Sequence, residues 1–567
     1  MNTLPTPGPG LRLAPGVFFA VLLVRSVSAG ASSGAQDTAP LAPLDSPAAA
    51  SVTVTVDLNK THPISPYIYG NNAVGRASDL IRYVTLERAG GNRWTAYNWQ
   101  SNASNAGSDW NFQNDDYLGG GNVPAEAVRK LIAADRKAGI ASLITIQLQG
   151  LVAGDTQGPV NMQAPPDRRR FKEVAFEKAS VSKEPFTTNP SLKEAYVYMD
   201  EFVWALDQKF PKAGIFTRAP QGPPVFVALD NEPDLWHSTH REIQGAATPK
   251  ADDFIARSLQ LARAIKAQFP DVVILGPMIS GFYGLYGWNG ELSPTPDRDN
   301  WFFDRYVRAV QAASATSKTP LIDVYAFHWY PEATDSAGHR VIQISGANLS
   351  DDQIQAIVQT PRSFWDPTYK ERSWVSDKLG GKVKLLSRLE SRLALESPAM
   401  KLAITEYNGG GGQHIAGTLA QADTLGILGA HGIFAACYWP LSENEAYIRA
   451  GFRAFRAFDG HAANFGDTSI SASSSHPEQI AAYVSSDSKE PGRIVIVAIN
   501  RAPANVSTSF EGLPSSGSAR VYRMSAATAV GQTEIAPIPV GSVPLSGSIL
   551  RLALPSLSVS TIEISSR

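Results

Sequence analysis

The chain has 567 residues, a length that suggests about three domains, or one large domain with a smaller one. Lysine plus arginine number 50 and aspartate plus glutamate 52, so the formal net charge is −2. A nucleic-acid partner is therefore not expected, because binding phosphates requires a basic surface. The only cysteine is Cys437, which excludes an intramolecular disulfide and a cysteine-rich zinc or iron–sulfur site.

The first fifty residues differ in composition from the rest. Residues 17–24 are apolar and are followed by Val27-Ser28-Ala29, which resembles a signal-peptidase cleavage site. We expect residues 1–29 to be a secretory signal peptide and residues 30–50 to be an Ala/Pro/Ser-rich linker. A bilayer span takes ~20 apolar residues, so we expect no membrane anchor after signal removal and a secreted protein, extracellular or periplasmic. The alternative for residues 17–24 is a buried strand or a short helix.

Residues 61–460 alternate short apolar runs with helical patterns. The helical patterns include residues 125–138, 192–210, 251–269 and 421–430, and the strand-like runs lie at residues 67–70, 86–92, 142–149, 225–233, 272–278, 324–331, 402–408 and 432–440. Eight strands alternating with helices predict an α/β fold, a (β/α)8 TIM-like barrel that forms the catalytic domain. Residues 160–190 are expected to be an inserted, solvated loop.

The pattern changes near residue 460. Strand-like runs separated by turns at residues 480–484, 493–500, 519–524, 549–554 and 558–564 predict an additional small all-β sandwich domain over residues 461–567. Residues 51–58 alternate apolar and polar side chains, as a half-buried strand does, but a closed barrel has no place for them. We therefore expect residues 51–60 to join the C-terminal β domain. This domain contains no tryptophan, which favours a supporting role over sugar binding.

Two glutamates lie at the ends of predicted barrel strands. Glu232 lies in the segment LDNEP and Glu406 in the segment TEYN. Active sites of such barrels lie at the C-terminal ends of the strands, so both carboxylates should reach one face. A carboxylate pair suits glycosidic bond cleavage, in which one acid protonates the leaving oxygen and the other attacks the anomeric carbon or activates water. Asp230 should point to the other side of its strand and is interpreted as structural.

Aromatic and amide side chains surround the same strand ends. Sugar rings stack on indoles, and their hydroxyls bond to polar side chains. The residues predicted to bind substrate are Asn92, Trp94, Asn231, Trp236, His328, Trp329, Tyr330, Tyr407 and Trp439. Hydrogen bonds from Asn231 or Tyr330 are expected to keep Glu406 ionised, whereas Glu232 needs a less polar setting to hold its proton.

Two further motifs allow more than one interpretation. His237 and His240 form an H-x-x-H pair, which could contact substrate, stabilise a loop or bind zinc, but no third zinc ligand can be named. The glycines at residues 409–412 are interpreted as a mobile rim loop, because the Lys-Ser/Thr of a phosphate-binding loop does not follow them. The only G-x-S-x-G match, at residues 30–34, lies in the expected linker and follows no predicted strand, which disfavours a serine hydrolase.

Several longer segments together resemble glycoside hydrolase family 44, which comprises bacterial endoglucanases and xyloglucanases. They are ERAGGNRWTAYNWQSNASNAGSD at residues 87–109, ALDNEPDLW at 228–236, HWYPE at 328–332, WDPTYKERSW at 365–374, TEYN at 405–408 and FGDTS at 465–469. The resemblance implies a TIM-like barrel with a β-sandwich built from both chain ends. It also implies retention of anomeric configuration, with Glu232 as the acid/base and Glu406 as the nucleophile. No cofactor is required for the chemistry, but a structural calcium ion is possible. Its ligands stay open, with Glu87, Asp115 and Asp116 as oxygen-rich candidates.

We therefore expect a secreted, monomeric enzyme that cleaves internal β-1,4-glucosidic bonds of cellulose-type glucans or xyloglucan by double displacement. One alternative is an endo-acting hydrolase of xylan or mannan. The other is a non-catalytic polysaccharide-binding barrel. The nearly balanced charge of the chain is consistent with a neutral polysaccharide as its partner.

Overall fold

The structure, a computed structural model, describes residues 51–72, 80–162, 167–529 and 534–565. The predicted signal peptide and linker lie outside the described residues. The strands up to residue 460 are β1 (Val52–Pro63), β2 (Tyr67–Asn72), β3 (Leu86–Ala89), β4 (Ser104–Asn105), β5 (Gln113–Asp115), β6 (Ala141–Ile146), β7 (Leu151–Ala153), β8 (Gly158–Pro159), β9 (Phe171–Ala175), β10 (Tyr196–Tyr198), β11 (Val225–Leu229), β12 (Ile274–Ile279), β13 (Val324–Trp329), β14 (Lys401–Tyr407) and β15 (Ala435–Tyr438). The later strands are β16 (Thr468–Ser474), β17 (Ile480–Asp487), β18 (Glu490–Asn500), β19 (Val506–Glu511), β20 (Ser518–Ser525), β21 (Ile538–Pro544), β22 (Ile549–Leu554) and β23 (Ser558–Ser565).

Most of the helices connect barrel strands. The α-helices of the described residues are α1 (Asn92–Thr95), α2 (Glu126–Ala138), α3 (Met199–Gln208), α4 (Trp236–Thr239), α5 (Arg241–Gln244), α6 (Ala251–Gln268), α7 (Phe282–Gly287), α8 (Phe302–Ser317), α9 (Asp351–Gln359), α10 (Trp374–Lys378), α11 (Leu385–Glu396), α12 (Ile415–Ala430), α13 (Ala446–Arg453) and α14 (Ala526–Ala529). No helix in the described ranges is long and apolar enough to cross a membrane.

Eight parallel strands close the predicted barrel in the order β2-β3-β6-β11-β12-β13-β14-β15. Each coincides with one of the eight apolar runs, so the predicted barrel is confirmed. Its strands are largely apolar because one face packs on the surrounding helices and the other fills the barrel, where Leu143, Phe226, Leu275 and Cys437 lie buried. The second strand is shorter than predicted. It ends at Ala89, and Asn92–Thr95 forms a helical turn after Gly91, whose positive φ of 94° turns the chain.

The C-terminal strands form one nine-stranded sheet in the order β21-β20-β23-β18-β17-β16-β1-β19-β22. Strand β1 pairs antiparallel with β16 and parallel with β19. Residues from both halves of this sheet, including Val54, Leu552 and Ile562, share one core, so the sheet folds over on itself as a sandwich. The sequence pattern did not reveal β16, β19 and β21, because these strands are rich in serine, threonine, glycine and proline rather than in large apolar residues.

The segment at residues 160–190 is not simply a solvated loop, as was predicted. Strand β9 lies within it and pairs with β7 and β10 in a small three-stranded sheet. Because residues 196–198 form β10, helix α3 begins only at Met199, later than the helical pattern suggested. Arg170, also within this segment, is largely buried and donates to Asp155 Oδ2 at 2.6 Å.

Helix α12 lies between the barrel and the β domain. It is apolar on nearly all sides because the barrel covers one face and strands β16–β18 and β23 cover the other. A buried ion pair joins Asp423 of this helix to Arg501, with Arg501 Nε 3.2 Å from Asp423 Oδ2. The hydroxyl of Tyr483 donates to Asp423 Oδ1 at 2.6 Å. The ring of Tyr483 lies so close to Gly426 that a Cβ there would clash with it.

We predict that Asp423→Ala destabilises the protein by about 3–5 kcal/mol, because Arg501 would keep a buried charge without its partner. Urea unfolding followed by tryptophan fluorescence, which reports on the barrel, measures the change. The control is Glu396→Ala, which removes the partner of the partly exposed Arg308 and should change stability far less. Equal effects of the two substitutions would contradict the predicted importance of the buried pair.

Candidate active site

The two predicted catalytic glutamates lie at the C-terminal end of the barrel. Glu406 is the penultimate residue of β14. Glu232 follows β11 by three residues and has a left-handed backbone with φ 42°, after which Pro233 begins a 3₁₀ turn. The backbone N–H of Glu232 donates to the carbonyl of Met278 on β12 at 2.9 Å, which fixes the turn against the barrel.

The structure brings the carboxylates of Glu232 and Glu406 together beside His328. The Nδ1 atom of His328 lies 2.9 Å from Glu232 Oε1 and 3.4 Å from Glu406 Oε2. One carboxylate oxygen from each glutamate and one ring nitrogen of His328 all lie within 4.8 Å of one another. These side chains come from β11, β13 and β14, so the barrel alone brings them together.

Glu406 is held by two donors. Arg88 Nη1 donates to its Oε1 at 2.6 Å, and the hydroxyl of Tyr330 donates to its Oε2 at 2.9 Å. Tyr330 was predicted in this role from the sequence, but Arg88 was missed. Arg88 is completely buried on β3. An arginine within an apolar barrel strand was the available signal, because a buried guanidinium requires a polar partner.

Asn231 does not bond to Glu406, which corrects one of the two expected contacts. Its Oδ1 instead accepts hydrogen bonds from Arg88 Nη2 at 2.7 Å and from the N–H of Gly91 at 3.2 Å. The side-chain oxygen of Asn231 is thus bonded within the protein, whereas its NH2 group makes no hydrogen bond in the described part of the chain. That NH2 group can therefore donate to a ligand, as a substrate-binding role requires.

The environments of the ionisable groups differ. Burial raises the pKa of Glu232 from its ordinary value of 4.5 to about 7, although the charge of Arg88 acts in the opposite direction. Burial also lowers the pKa of His328 to about 3, so its imidazole is neutral near pH 7. Glu406, in contrast, directly accepts from the cationic Arg88. The site thus holds one carboxyl with a raised pKa and one carboxylate that accepts a hydrogen bond from a buried guanidinium.

Asp230 has the structural role expected for it. It is fully buried, and its Oδ2 accepts from the backbone N–H groups of Leu148 at 2.5 Å and Gln149 at 2.9 Å. Burial raises its pKa to about 6. These bonds tie the end of β11 to the segment after β6 and so support the turn that carries Glu232.

Eight of the tryptophans pack against another aromatic ring and are mainly core residues: Trp94, Trp99, Trp204, Trp236, Trp288, Trp301, Trp329 and Trp374. Three of the predicted sugar platforms are among them and offer little surface: Trp94 is 8% exposed, and Trp236 and Trp329 are each 3% exposed. Trp236 Nε1 donates to the carbonyl of Asn231 at 3.1 Å. Tyr407 is likewise buried, and its hydroxyl accepts from Gln421. Trp94, Trp236, Trp329 and Tyr407 are therefore packing residues around the site rather than exposed surfaces for a sugar ring.

Trp439 and Asn92 have more accessible positions. The half-buried ring of Trp439 lies directly against Gly91, whose Cα approaches so closely that a Cβ would be 2.8 Å from the indole. Since Gly91 also bonds to Asn231, which precedes Glu232, this indole lies near the two glutamates. Asn92 Nδ2 donates to Asp109 Oδ1 at 2.7 Å. The substrate-binding roles of Trp439 and Asn92 stay predictions.

The two other sequence motifs are structural. Both ring nitrogens of His240 are engaged, with Nδ1 2.8 Å from Glu242 Oε1 and Nε2 2.8 Å from the carbonyl of Asn92, so the H-x-x-H pair is not a zinc site. The glycine run is packed rather than mobile. Gly410 and Gly411 are buried, and a Cβ on Gly410 would clash with the carbonyl of Val341.

The candidate calcium ligands do not form a cluster. The carboxylate of Asp115 already accepts from Arg93 at 2.5 Å and from Gln113 at 2.8 Å. Over the described residues, only Glu232, His328 and Glu406 bring together three acidic, histidine or cysteine ligand atoms, and the buried charge of Arg88 beside them opposes a cation. Glu87, Asp115 and Asp116 thus form no cluster of carboxylates in the described residues, and the structural calcium ion stays a prediction.

Comparison with known proteins identifies the family. A sequence profile for Glycoside hydrolase family 44 matches residues 103–333. Endoglucanase A of Paenibacillus lautus is 34% identical over 517 residues, covering 88% of this chain and 71% of the relative. The chain belongs to glycoside hydrolase family 44. It is therefore a glycoside hydrolase rather than a non-catalytic binding barrel, and the resemblance found in its sequence is confirmed.

Further relatives of this family 44 hydrolase agree in fold and in sequence. A xyloglucanase of the same family from Paenibacillus polymyxa, solved with xyloglucan, has a TM-score of 0.81 and 32% identity, covering 91% of this chain and 100% of that one. Beta-mannanase/endoglucanase A of Caldicellulosiruptor saccharolyticus is 34% identical over 477 residues. That match covers 79% of this chain and 34% of the relative, so the chain spans about a third of that protein.

We predict that Glu232→Gln stabilises this family 44 hydrolase at alkaline pH but not at acidic pH. The carboxyl has a folded pKa of about 7 against 4.5 when unfolded, so its ionisation weakens the folded state as pH rises from 4.5 to 7. Glutamine does not ionise, so its advantage should grow to about 3 kcal/mol above pH 7 and vanish below pH 4.5. Urea unfolding of both proteins at pH 4.5, 6 and 8 measures this difference in the free energy of unfolding.

The control for this pH series is Glu184→Gln, which changes an exposed glutamate. Its effect on the free energy of unfolding should be small and independent of pH. A pH-independent effect of Glu232→Gln would show that the carboxyl of Glu232 has an ordinary pKa.

Proposed function

We propose that the protein is a retaining endo-hydrolase of β-1,4-glucans, such as cellulose-type glucans or xyloglucan. The observation that carries this proposal is the spacing of the carboxylates, with oxygens of Glu232 and Glu406 within 4.8 Å. Retaining glycosidases place their carboxyl groups about 5–5.5 Å apart, whereas inverting enzymes separate them by about 6.5–9.5 Å to admit a water molecule.

In the first step Glu406 attacks the anomeric carbon. Arg88 and Tyr330 each donate a hydrogen bond to this carboxylate and so orient it for nucleophilic attack. Glu232 holds a proton near neutral pH and donates it to the leaving glycosidic oxygen. The products of this step are a glycosyl ester on Glu406 and a free sugar chain end.

In the second step Glu232, now ionised, removes a proton from a water molecule. That water attacks the same anomeric carbon, the ester breaks, and Glu406 leaves as a carboxylate. Two inversions at one carbon give net retention of configuration. The neutral His328 lies between the two acids and adds no positive charge, so it does not hinder Glu232 from regaining its proton.

The assignment to glucans is supported by relatives named endoglucanase and xyloglucanase. A second candidate activity, on mannan, is supported by the relative named beta-mannanase/endoglucanase. Xylan stays a third possibility from the sequence. From the composition of residues 1–50 we further propose export by a signal peptide. We also propose that the enzyme acts as a monomer.

We predict that Glu406→Ala lowers kcat on carboxymethylcellulose and xyloglucan roughly 10⁴-fold or more, because it removes the nucleophile. Azide should restore turnover and yield an α-glycosyl azide, since it enters the space left on the α face. Glu232→Ala should lower kcat about 10²–10⁴-fold. With azide present it should yield a β-glycosyl azide, because azide then attacks the glycosyl ester on Glu406. Reducing-sugar assays and NMR of the products measure both outcomes.

The control for these variants is Glu371→Gln, which changes a buried carboxylate bonded to Ser373 at 2.5 Å and outside the catalytic pair. It should keep near-normal kcat. Lichenan, xylan and glucomannan tested alongside separate the glucanase from its alternatives. Formation of the α-anomer first during hydrolysis, or full activity of either glutamate variant, would contradict the proposal.

We predict that kcat/KM falls about tenfold per pH unit above pH ~7, because the free enzyme must hold a proton on Glu232 before the first step. Initial rates on a soluble β-glucan between pH 4 and 9 give the profile. An aryl glycoside with an acidic leaving group needs no proton donor and should lose this alkaline limb. An alkaline limb of equal position and slope on both substrates would assign it to another group.

A further inference from the structure

A second concave site lies between the barrel and the β domain. We call it the interdomain groove. It has a volume of about 640 Å³ and is lined by the C-terminal half of α12, by the segment at residues 365–368 and by strands β16 and β17. Helix α12 follows β14, so it begins at the catalytic face of the barrel and ends at the opposite one. The groove is therefore separate from the site around Glu232 and Glu406.

One wall of the interdomain groove is a polar sheet face. Ile470 and Val484 point into the β-domain core and pair directly across β16 and β17. Since neighbouring side chains alternate between faces, Ser469, Ser471 and Tyr483 point the other way, towards α12. Ser469 is 6% exposed, yet its hydroxyl makes no hydrogen bond in the described part of the chain. The hydroxyl of Ser471 is equally unpartnered there.

The other wall is apolar and aromatic. Gly426, Ile427, Gly429 and Ala430 of α12 offer only hydrocarbon surface and backbone. Trp365 lies beside them, half-buried. In the described residues it is one of three tryptophans, with Trp110 and Trp439, that stack on no other ring, and its indole N–H has no acceptor. Its aromatic surface and its donor are thus both available to a ligand.

The ionic groups lining the groove are mostly neutralised within the protein. Asp366 accepts from Arg362 at 2.7 Å, His431 lies 2.8 Å from Glu390, and Arg501 pairs with Asp423. Among the lysine, arginine and aspartate residues that line the groove in the described ranges, only Lys60 has no oppositely charged partner. A strongly charged ligand therefore has little to bind, whereas a neutral molecule with many hydroxyls and apolar faces matches both walls.

We propose that the interdomain groove is a second glycan-binding site that holds a segment of the same neutral polysaccharide the enzyme cleaves. The CH face of a sugar ring packs on Trp365, and ring hydroxyls bond to Ser469 and Ser471. The identity of the glycan rests on the function proposed above, but the site itself does not. Binding here keeps the enzyme attached to a long chain between cleavage events and raises the local substrate concentration at the active site.

Calorimetric titration of cellohexaose into the full-length Glu406→Gln protein tests this proposal. We expect two binding events per chain, one in the active site and one in the groove. Ser471→Leu places bulk in the groove and removes a hydroxyl, so it should weaken only the second event, by roughly tenfold or more. Ser507→Leu is the matched control, because Ser507 is also half-buried on a strand of the same sheet and should keep both events.

A second pair of variants, at Trp365, tests the groove independently if Ser471→Leu does not fold. Trp365→Ala should also abolish the groove event, whereas Trp365→Phe keeps an aromatic face and should retain it. In the Glu406-containing enzyme, Trp365→Ala and Ser471→Leu should leave hydrolysis of cellotetraose unchanged and raise KM on long polysaccharide. A single binding event in the parent protein, or two events in both groove variants, would overturn the proposal.

Two outcomes separate this proposal from related ones. If xylohexaose or mannohexaose gives both events and cellohexaose neither, the glucan assignment fails but the groove site stands. If sedimentation shows a dimer that Ser471→Leu dissociates, while no glycan gives a groove event, the groove is an interface between two copies of the chain and the proposal is wrong.

Discussion

The site depends on one buried charge, the guanidinium of Arg88. It lies inside a barrel strand without access to water, so its desolvation must be offset by partners placed in good geometry. Those partners come from three other parts of the barrel: Asn72 on β2, Asn231 after β11 and Glu406 on β14. The arginine thereby fixes the orientation of Glu406 and of the neighbouring asparagine. Gly90 contributes as well, because a Cβ there would collide with the guanidinium.

Arg88 also explains how two glutamates of the same chemistry acquire different roles. Glu406 accepts directly from the guanidinium, whereas Glu232 makes no contact with it and bonds to a neutral imidazole. Burial then dominates for Glu232 and raises its pKa to about 7. Two carboxyls only a few ångströms apart thus lie in different environments, which suits the proposed roles of acid/base and nucleophile.

The β domain contributes to the enzyme through helix α12. This helix follows β14, the strand that carries Glu406, and is covered by the sheet on the side away from the barrel. The contact is specific because Tyr483 packs on Gly426 while Arg501 and Asp423 form a buried pair. Strand β1, which precedes the barrel in sequence, completes the sheet between β16 and β19. The two ends of the described chain are therefore tied together on one side of the barrel.

The sequence by itself determined the architecture and pointed to the two glutamates that we propose as the catalytic pair. Barrel strands such as β6 and β13 are buried on both faces and have continuous apolar sequences, and Glu232 and Glu406 lie at the C-terminal ends of two strands of this kind. The alternation in residues 51–58 likewise predicted a strand outside the barrel. Serine-rich strands such as β16 gave no comparable signal, since their stability comes from pairing with neighbours that are distant in sequence.

Only the tertiary structure decided which polar and aromatic side chains reach the site. The sequence placed Trp236 and Trp329 near the glutamates but could not show that neighbouring rings cover them. It also left Arg88 unnoticed, because its partners lie up to 318 residues away along the chain. The physical reason is that apolar periodicity is local, whereas burial, ion pairing and the resulting pKa of an acid depend on residues brought together by barrel closure.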